Sequence, residues 1–413
     1  MSDAFIIDAC RTPRGVGKVG KGALAHLHPQ HLAATVLKGL AERNDLNTAE
    51  VDDIIWGTST QRGSQGGDLA RMAALDAGFD VKASGVTLDR FCGSGITAVS
   101  LATAQVMSGM EDLVIAGGTE MMSYITEIAD QTVPPMIDSG NLSLRAKHPQ
   151  SQQGVCADAI ATLEGIDRAA VDNLALVSQE RAARAIAEGR FNKSLVPVFN
   201  EDGSVALDHE EFPRPGTTIE KLSSLNPVFA MWMNIPVDKQ GTTYGDLIRQ
   251  KYPDIGEFNH VHHAGNSSGV VDGAAAILIA SERYAEKAGL TPRARVVATA
   301  NMGDCPTLML NAPVPAAEKV LAKAGLTKDD IDLFEINEAF SVVAEKFIRD
   351  LDLDREKVNV NGGAMALGHP IGATGSILIG TVLDELERSN LKRGLITMCA
   401  AGGMAPAIII ERV

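Results

Sequence analysis

The sequence predicts an α/β protein in which one α/β unit is duplicated and mostly parallel sheets are covered by helices. Short apolar runs rich in β-branched residues alternate with helical runs, as in proteins whose helices pack on a parallel sheet. The segment LNTAEVDDIIWG (46–57) has a counterpart 280 residues later, LTKDDIDLFEIN (326–337), and such self-similarity indicates duplication. Forty glycines with only 4% aromatic residues suggest many tight turns between strands and helices.

Length, composition and net charge limit the classes of protein to which this chain can belong. A chain of 413 residues exceeds one ordinary core, so two or three domains are expected. With 45% hydrophobic and 22% charged residues, the composition is that of a folded globular protein. The net charge of −15 argues against a general binder of nucleic acid or anionic membrane, which would carry a basic face. An anionic ligand must therefore meet local basic residues or helix N-termini.

The cysteines and the apolar runs predict a cytoplasmic protein without a membrane span. Five widely scattered cysteines without CxxC spacing are typical of reduced intracellular proteins. The N-terminus does not look like a secretory signal, and no apolar run reaches the roughly 18 residues that span a bilayer. The ending IIIERV is not a peroxisomal address.

The chain begins with a β-branched run at 4–8, a polar loop at 11–22 and an amphipathic helix at 31–43. KVGKG in the loop lacks the GK[ST] ending of a phosphate-binding loop, so this interpretation is discounted. Three histidines follow, without cysteine or carboxylate partners at ligand spacing. They are therefore interpreted as polar loop histidines and not as a metal site: His26, His28 and His31.

The first candidate for chemistry lies in LDRFCGSGITAVSLATAQVMSG (88–109), where Cys92 separates an extended run from a helical one. At the first turn of a helix, unpaired N–H groups and the helix dipole favour a thiolate over a thiol. The neighbouring glycines let another molecule approach the backbone closely. Cys92 is therefore a candidate nucleophile, and the alternative is one more inert, buried cysteine.

A second repeat pairs this turn with one near the C-terminus. CGSGITAVSLA from Cys92 matches HPIGATGSILI from His369, and each is followed after about 20 residues by an apolar run and a glycine pair. Duplication would place Cys92 and His369 at corresponding turns of the fold. Because a helix N-terminus disfavours the imidazolium, His369 is expected to stay neutral and able to accept a proton.

The last 80 residues hold further candidates. Asn337 and Glu338 in INEAF follow an apolar, strand-like run, and Cys399 lies in a glycine-rich turn after a strand. Each residue alone would be interpreted as an ordinary core or surface residue. Together with Cys92 and His369 they indicate a Cys-His-Cys site.

Residues 124–268, between the two halves, are richer in polar residues and prolines and indicate a separate lobe or large insertion. Within them, 169–188 looks helical, whereas 200–218 and 234–256 look irregular. A histidine cluster near the end has no acidic or cysteine ligand spaced with it. A strand-edge or pocket-lining role is therefore preferred to metal binding for His260, His262 and His263.

These motifs together resemble the thiolase family, whose members cleave or form 3-oxoacyl-CoA thioesters. The resemblance covers nearly the whole chain: RTPRG, LDRFCGSG, AGG followed by Glu120 and Met121, AGNSSGVVDGAAA, NEAF, NGGAMALGHPIGATG and MCAAGGM. It implies a duplicated thiolase fold, with a five-layered αβαβα core and an inserted loop domain. The implied domains are residues 1–122 with about 269–283, the loop domain 123–268 over the active site, and 284–413.

The resemblance also implies roles for single residues. Cys92 matches the nucleophile that accepts the acyl group, His369 the base that activates it and Cys399 the second acid/base. Asn337 matches the residue that holds a water in one oxyanion hole together with His369. Backbone N–H groups of Cys92 and of the segment near Ala401 would form the second oxyanion hole.

The implied reaction is CoA-dependent thiolytic cleavage of 3-oxoacyl-CoA to acetyl-CoA and a shortened acyl-CoA through acyl-Cys92, and the reverse Claisen condensation. Ser268 matches a serine near the pantetheine arm of CoA, and Arg214 an arginine near its nucleotide end. CoA is a cosubstrate, no cofactor or metal is expected, and a homodimer or homotetramer is implied.

Three alternatives compete with this interpretation. A β-ketoacyl synthase shares the fold, but its second acid/base is typically histidine or asparagine, so Cys399 argues against it. A non-catalytic thiolase relative that binds lipid would not need the full set of candidate residues. A biosynthetic acetoacetyl-CoA thiolase is the third alternative; CAAGG and a missing methionine favour degradation of longer 3-oxoacyl-CoAs.

The sequence departs from the family pattern in three places. Ala401 stands where many members have glycine, which a backbone donor tolerates only if the local φ suits alanine. Residues 153–161 (QGVCADAIA) replace a methionine-glycine pair and a TAEN-like run, so acyl-pocket specificity is expected to differ. About thirty residues separate Phe229 from AGNSSG, where common members have only a few; this insertion could reshape the pocket rim or a subunit contact.

Overall fold

The computed structural model of the protein describes residues 3–129 and 135–413. Within them, strands and helices alternate in both halves of the chain, as predicted. The strands are β1 Ala4–Arg11, β2 Gly15–Val16, β3 Asp53–Gly57, β4 Val86–Leu88, β5 Leu113–Met121, β6 Val198–Phe199, β7 Val205–Leu207, β8 Val271–Ser281, β9 Ala294–Gly303, β10 Leu333–Ile336, β11 Arg393–Thr397 and β12 Met404–Arg412.

The helices are long in the two halves and mostly short between them. They are α1 Pro29–Arg43, α2 Leu69–Asp76, α3 Ser94–Ser108, α4 Met122–Ile128, α5 Leu142–Lys147, α6 Gln153–Leu163, α7 Arg168–Ala187, α8 Ile219–Ser223, α9 Phe229–Met233, α10 Tyr244–Lys251, α11 Glu282–Ala288, α12 Pro313–Ala324, α13 Ser341–Asp350, α14 Ala364–Leu367 and α15 Ile371–Arg388. None of the helices in the described part of the chain is long and apolar enough to cross a membrane.

Ten strands form one continuous sheet in the order β10-β11-β12-β9-β1-β8-β5-β3-β4, with β2 paired to β8. The two halves meet where β1 and β9 run antiparallel, with Phe5 opposite Arg295 and Ile6 opposite Ala294. Counting outwards from this junction, β1-β8-β5-β3 on one side corresponds to β9-β12-β11-β10 on the other. This symmetry confirms the predicted duplication.

The prediction of mostly parallel sheets was wrong, because the sheet is mixed. Among the strands of the described residues, only β3 with β4 and β5, and β10 with β11, are parallel, while the central strands pair antiparallel. In the second half, β11 and β12 are joined by the short turn 398–403, which is too short for the crossover that parallel neighbours require.

Two central helices, α3 and α15, lie between the two halves of the sheet. Their apolar residues share one core with strand residues from both halves, including Ile55, Ile279, Ile396 and Ile408. Helices α1 and α2 cover the outer face of the first half, and α12 and α13 cover that of the second. The molecule therefore has the five predicted layers, with helices and sheets alternating.

The chain between β5 and β8 forms the inserted lobe. Its long helix α7 agrees with the predicted helix at 169–188. The prediction that 234–256 is irregular was wrong, because it contains α10. That helix begins at a capping box, in which Thr243 Oγ1 accepts a hydrogen bond from Asp246 N and the Asp246 carboxylate accepts one from Thr243 N.

Candidate active site

Cys92 lies in a tight turn between β4 and α3, two residues before the helix begins. Phe91 adopts a left-handed backbone conformation with φ of 50°. The Ser94 hydroxyl stabilises this turn, because it donates to Phe91 O at 2.6 Å and accepts from Arg90 N at 2.8 Å. The strained turn points Cys92 into the interior, where 6% of the residue is exposed.

The expectation that the helix N-terminus makes Cys92 a thiolate is contradicted by its surroundings. Burial raises the pKa of the Cys92 thiol well above its ordinary value, and the neighbouring Cys399, Glu120 and Asp89 raise this pKa further. Cys92 is therefore a thiol at rest. It needs a base to become a nucleophile.

His369 ends the turn before α15 and, like Cys92, lies two residues before its helix. Its backbone N–H donates to Gly269 O at 2.9 Å. Its Nδ1 lies 2.6 Å from Thr374 Oγ1, and the Thr374 hydroxyl donates to Pro370 O at 2.9 Å. Because that hydroxyl proton is already committed, Nδ1 must be the donor, which leaves the lone pair on Nε2.

Burial lowers the pKa of His369 to about 4. The prediction of a neutral imidazole agrees with this direction, but the cause is burial and not the helix N-terminus. Asn337 Nδ2 lies 3.4 Å from His369 Nε2. The Asn337 amide oxygen is buried and has no hydrogen-bond partner within the described residues, so it is free to accept a hydrogen bond from a water.

Cys399 follows β11 at the start of the hairpin turn to β12. Ala400 N donates to Met404 O at 2.7 Å, which closes this turn. A Cβ added to Gly93 would lie 3.4 Å from the Ala400 Cβ, so the turns of Cys92 and Cys399 are in contact. Burial raises the pKa of Cys399 to about 12.

Alanine is accommodated at position 401, which removes one of the doubts raised by the sequence. Among the residues that the structure describes, those with positive φ in this turn are Gly402 and Gly403, at 78° each, and not Ala401. The local backbone therefore suits a residue with a side chain.

Ser268 and Arg214, the predicted CoA contacts, lie on the same side of the molecule. Ser268 N donates to Ala339 O at 3.0 Å, which places the serine beside the NEAF segment. Arg214 is exposed, and its guanidinium stacks over the Phe212 ring at 5.4 Å. The same ring covers Gly269, where an added Cβ would lie 2.2 Å from it.

Glu120 follows the AGG motif, and its contacts with distant segments are not evident from the sequence. Its buried carboxylate accepts hydrogen bonds from Gly372 N in α15 and from Ser59 N after β3. Glu338, next to Asn337, accepts from Ser178 Oγ in α7 and from Asn359 Nδ2. A single acidic residue at the end of an otherwise apolar strand was the available signal for Glu120.

The histidines near the end of the lobe meet acidic partners that sequence spacing did not reveal. His260 and His262 contact the two oxygens of Asp158 in α6 at 2.8 and 2.7 Å, and His263 contacts Asp172 in α7 at 2.8 Å. They anchor the segment that carries Ser268. No group of three or more His, Cys, Asp or Glu side chains in residues 3–129 and 135–413 could hold a metal ion.

The early histidines also serve structure. His26 contacts Asn200 and His31 contacts Phe199 O, so these two histidines connect α1 and the loop before it to the lobe.

The unusual insertion forms α9 and α10, which pack on α6. Phe229 at its start fills the space beside Gly154 and meets Phe340 edge-on, with ring centroids 5.6 Å apart.

Comparison with known families assigns both halves. The model of "Thiolase, N-terminal domain" matches residues 4–234, and that of "Thiolase, C-terminal domain" matches residues 290–412. The beta-ketoadipyl-CoA thiolase of Pseudomonas aeruginosa is 40% identical over 428 residues, covering 100% of this chain and 99% of that protein. The steroid 3-ketoacyl-CoA thiolase FadA6 of Mycobacterium tuberculosis is 39% identical over 100% of this chain and 95% of its own.

Solved structures agree with the sequence comparison. The acetyl-CoA acetyltransferase of Bacillus anthracis has a TM-score of 0.82, and human mitochondrial 3-ketoacyl-CoA thiolase has one of 0.84. Each is 33% identical, and each alignment covers 100% of this chain and 99% of the other. With its fold, both halves of its sequence and its full length matched, the chain belongs to the thiolase family.

Proposed function

We propose that Cys92 carries the acyl group in this thiolase, with His369 as the base that activates it and Cys399 as the second acid/base. The protein is an acyltransferase that cleaves 3-oxoacyl-CoA with CoA and also runs the reverse condensation. The observation that carries the proposal is the matched placement of a buried thiol and a neutral imidazole, each two residues before one of the paired central helices.

The first half-reaction begins when His369 Nε2 takes the proton from Cys92 Sγ. The thiolate attacks the 3-oxo carbon of the substrate and forms a tetrahedral alkoxide. Collapse of the alkoxide breaks the bond between carbons 2 and 3 and leaves the acyl group on sulfur. The electron pair becomes the enolate of acetyl-CoA, which the Cys399 thiol protonates on carbon.

The enolate is a poor leaving group unless its oxygen meets hydrogen-bond donors. Asn337 supports this step, because its amide lies beside His369 and its oxygen is free to hold a water. The backbone N–H groups of Cys92 and Ala401 form the second oxyanion hole in this proposal. Burial strengthens each of these interactions, since water does not screen them.

In the second half-reaction, the Cys399 thiolate takes the thiol proton of CoA. The CoA thiolate attacks the acyl carbonyl on Cys92, and the Cys92 thiolate leaves and regains its proton from the His369 imidazolium. Ser268 contacts the pantetheine arm in this arrangement, and Arg214 contacts the nucleotide end. An exposed arginine suits an anionic ligand of an otherwise acidic protein.

The substrate class follows from the relatives as a proposal. Two of them act on beta-ketoadipyl-CoA and on a steroid 3-ketoacyl-CoA, by their names, so we favour degradation of 3-oxoacyl-CoAs longer than acetoacetyl-CoA. The biosynthetic and the non-catalytic alternatives are not favoured by these comparisons. We retain residues 1–122 with 269–283, 123–268 and 284–413 as domains, a homodimer or homotetramer, and a cytoplasmic location as parts of the proposal.

Mass spectrometry after brief incubation with acetyl-CoA tests the proposal. We expect one acetyl group, mapped by peptide analysis to the Cys92 peptide and absent in Cys92→Ala. Cys399→Ala should still be acetylated while losing turnover of 3-oxoacyl-CoA, because it lacks only the second acid/base. A protein that binds CoA esters while Cys92 stays unmodified would contradict the proposal.

A further inference from the structure

Glu120, at the end of β5, is a buried carboxylate with four hydrogen-bond donors. Oε2 accepts from Ser59 N at 2.8 Å and from Gly372 N at 2.9 Å. Oε1 accepts from Gln65 Nε2 at 2.9 Å and from Thr58 Oγ1 at 3.2 Å. None of the Glu120 residue is exposed to solvent.

The donor set indicates an ionised carboxylate. Burial raises the pKa of Glu120, but its partners include two backbone N–H groups and an amide N–H, which can only donate. The amide of Gln65 cannot turn around without loss, because its oxygen accepts from Met121 N at 2.7 Å. A proton on Glu120 would therefore face donors at most of its contacts.

Glu120 joins the part of the fold that carries Cys92 to the turn that carries His369. Gly372 is the second residue of α15, three residues after His369, so the carboxylate lies at the positive end of this helix. Strand β5 and the start of α15 are packed too closely to shift along each other, since a Cβ on Gly118 would lie 2.0 Å from Gly372 O. The turn that leads from Cys92 into α3 meets the same junction, because a Cβ on Gly57 would lie 2.8 Å from Ser94 Cβ and 2.9 Å from Gly372 O.

We infer that Glu120 is a positioning residue that holds the His369 turn at a fixed place relative to Cys92. This inference rests on the proposed function of these two residues. Three acidic neighbours raise the pKa of Cys92 beyond the effect of burial: Cys399 from the turn after β11, Glu120 from β5, and Asp89 from its own segment. A thiol whose pKa is raised depends on a correctly placed base, so displacing the His369 turn should slow the chemical step more than it weakens substrate binding.

Two variants test the contact between Glu120 and the His369 turn. Glu120→Asp keeps the charge but withdraws the carboxylate, so it cannot reach Gly372 N, and misplacement of a catalytic group costs about 100-fold. We expect kcat for thiolysis to fall about 100-fold while KM for the acyl-CoA stays within about threefold. Glu120→Gln keeps the length of the side chain but turns an NH2 group towards some of these donors, so kcat should fall by less, about tenfold, at a similar KM.

Thr58→Val is the matched control, because it removes a donor from Oε1 and leaves the contact with Gly372 intact. It should keep kcat within about twofold even if it lowers the unfolding temperature. Wild-type kcat in either Glu120 variant would overturn the inference. If Glu120→Asp does not fold, Glu120→Gln decides through its kcat and KM. Acetylation of Cys92 in wild type is measured in parallel, because its failure would instead reject the proposed function.

Discussion

Cys92 and His369 each lie two residues before a long helix, where a dipole argument alone predicts a thiolate and a neutral imidazole. Burial disfavours the charged forms of both groups. It therefore raises the pKa of Cys92 and lowers that of His369. The resting site therefore holds no charge on this pair. In the proposed mechanism, proton transfer from sulfur to Nε2 accompanies attack of the thiolate on the substrate.

The first prediction concerns the pH dependence of acetylation. His369 remains neutral until the pH falls towards its pKa of about 4. The rate of Cys92 acetylation by acetyl-CoA should therefore not fall near pH 6.5 through protonation of this base. Quenched mass spectrometry at a series of pH values measures this rate. His369→Asn is the control and should be slower by roughly 10²–10⁴-fold. A rate that halves near pH 6.5 would show that the imidazole is solvated.

His369 also makes the stability of the folded protein depend on pH. Its pKa in the folded protein lies below the unfolded value of 6.5, so protonation favours unfolding. Its contribution is fully present above pH 6.5 and is lost as the pH falls from there through about 4.

At the scale of elements, glycines allow α3 and α15 to approach backbone to backbone. An added Cβ on Gly375 would lie 2.2 Å from Ile96 N, and one on Gly95 would lie 2.8 Å from Ser376 N. This contact places the two helices, and with them the turns of Cys92 and His369, side by side. The repeated glycines in the two halves therefore have a packing reason.

The second prediction uses two glycines of α15. Gly375→Ala forces Cβ into the backbone of α3, so the free energy of unfolding should fall by about 1–3 kcal/mol or more. Gly380→Ala is the control, because its Cβ would meet only Ala9 Cβ at 3.3 Å and alanine favours a helix. Thermal unfolding and Cys92 acetylation of both variants provide the measurement. Equal effects of the two substitutions would contradict the packing argument.

At the scale of the whole molecule, a buried ion cluster joins the inserted lobe to the first half. Glu210 contacts Arg11 at 2.7 Å and Arg14 at 2.8 Å, and all three side chains are buried. Burial alone would raise the pKa of Glu210, but the two guanidinium groups lower it to about 2. Its contribution to stability is therefore present above pH 4.5 and is lost as the pH falls through about 2.

The third prediction is that Glu210→Gln destabilises the protein, since it leaves two buried cations without their counter-ion. We expect the free energy of unfolding to fall by roughly 3–5 kcal/mol, measured by denaturant or thermal unfolding. Glu201→Gln, in the exposed turn between β6 and β7, is the control and should leave the unfolding temperature unchanged. If both substitutions behave alike, the lobe is not held by this cluster.

Much of the fold was predictable because its signals are local or repeated. Local patterns predicted β1, α1 and α3, and the match of 46–57 with 326–337 is seen as two 3₁₀ turns each followed by a strand. The helix at 244–251 was missed, since its apolar stripe is short and lies in polar sequence. Strand direction was missed because hydrophobic pattern does not distinguish parallel from antiparallel neighbours.

The sequence by itself determined the family, the duplication and the candidate residues Cys92, His369, Cys399 and Asn337, because these rest on residue identity and order. Only the tertiary structure decided their protonation, their spacing and their anchors, because burial and contacts between distant segments produce these properties. Glu120 illustrates the difference. Its chemistry depends on Gly372, 252 residues away in sequence and 2.9 Å away in space.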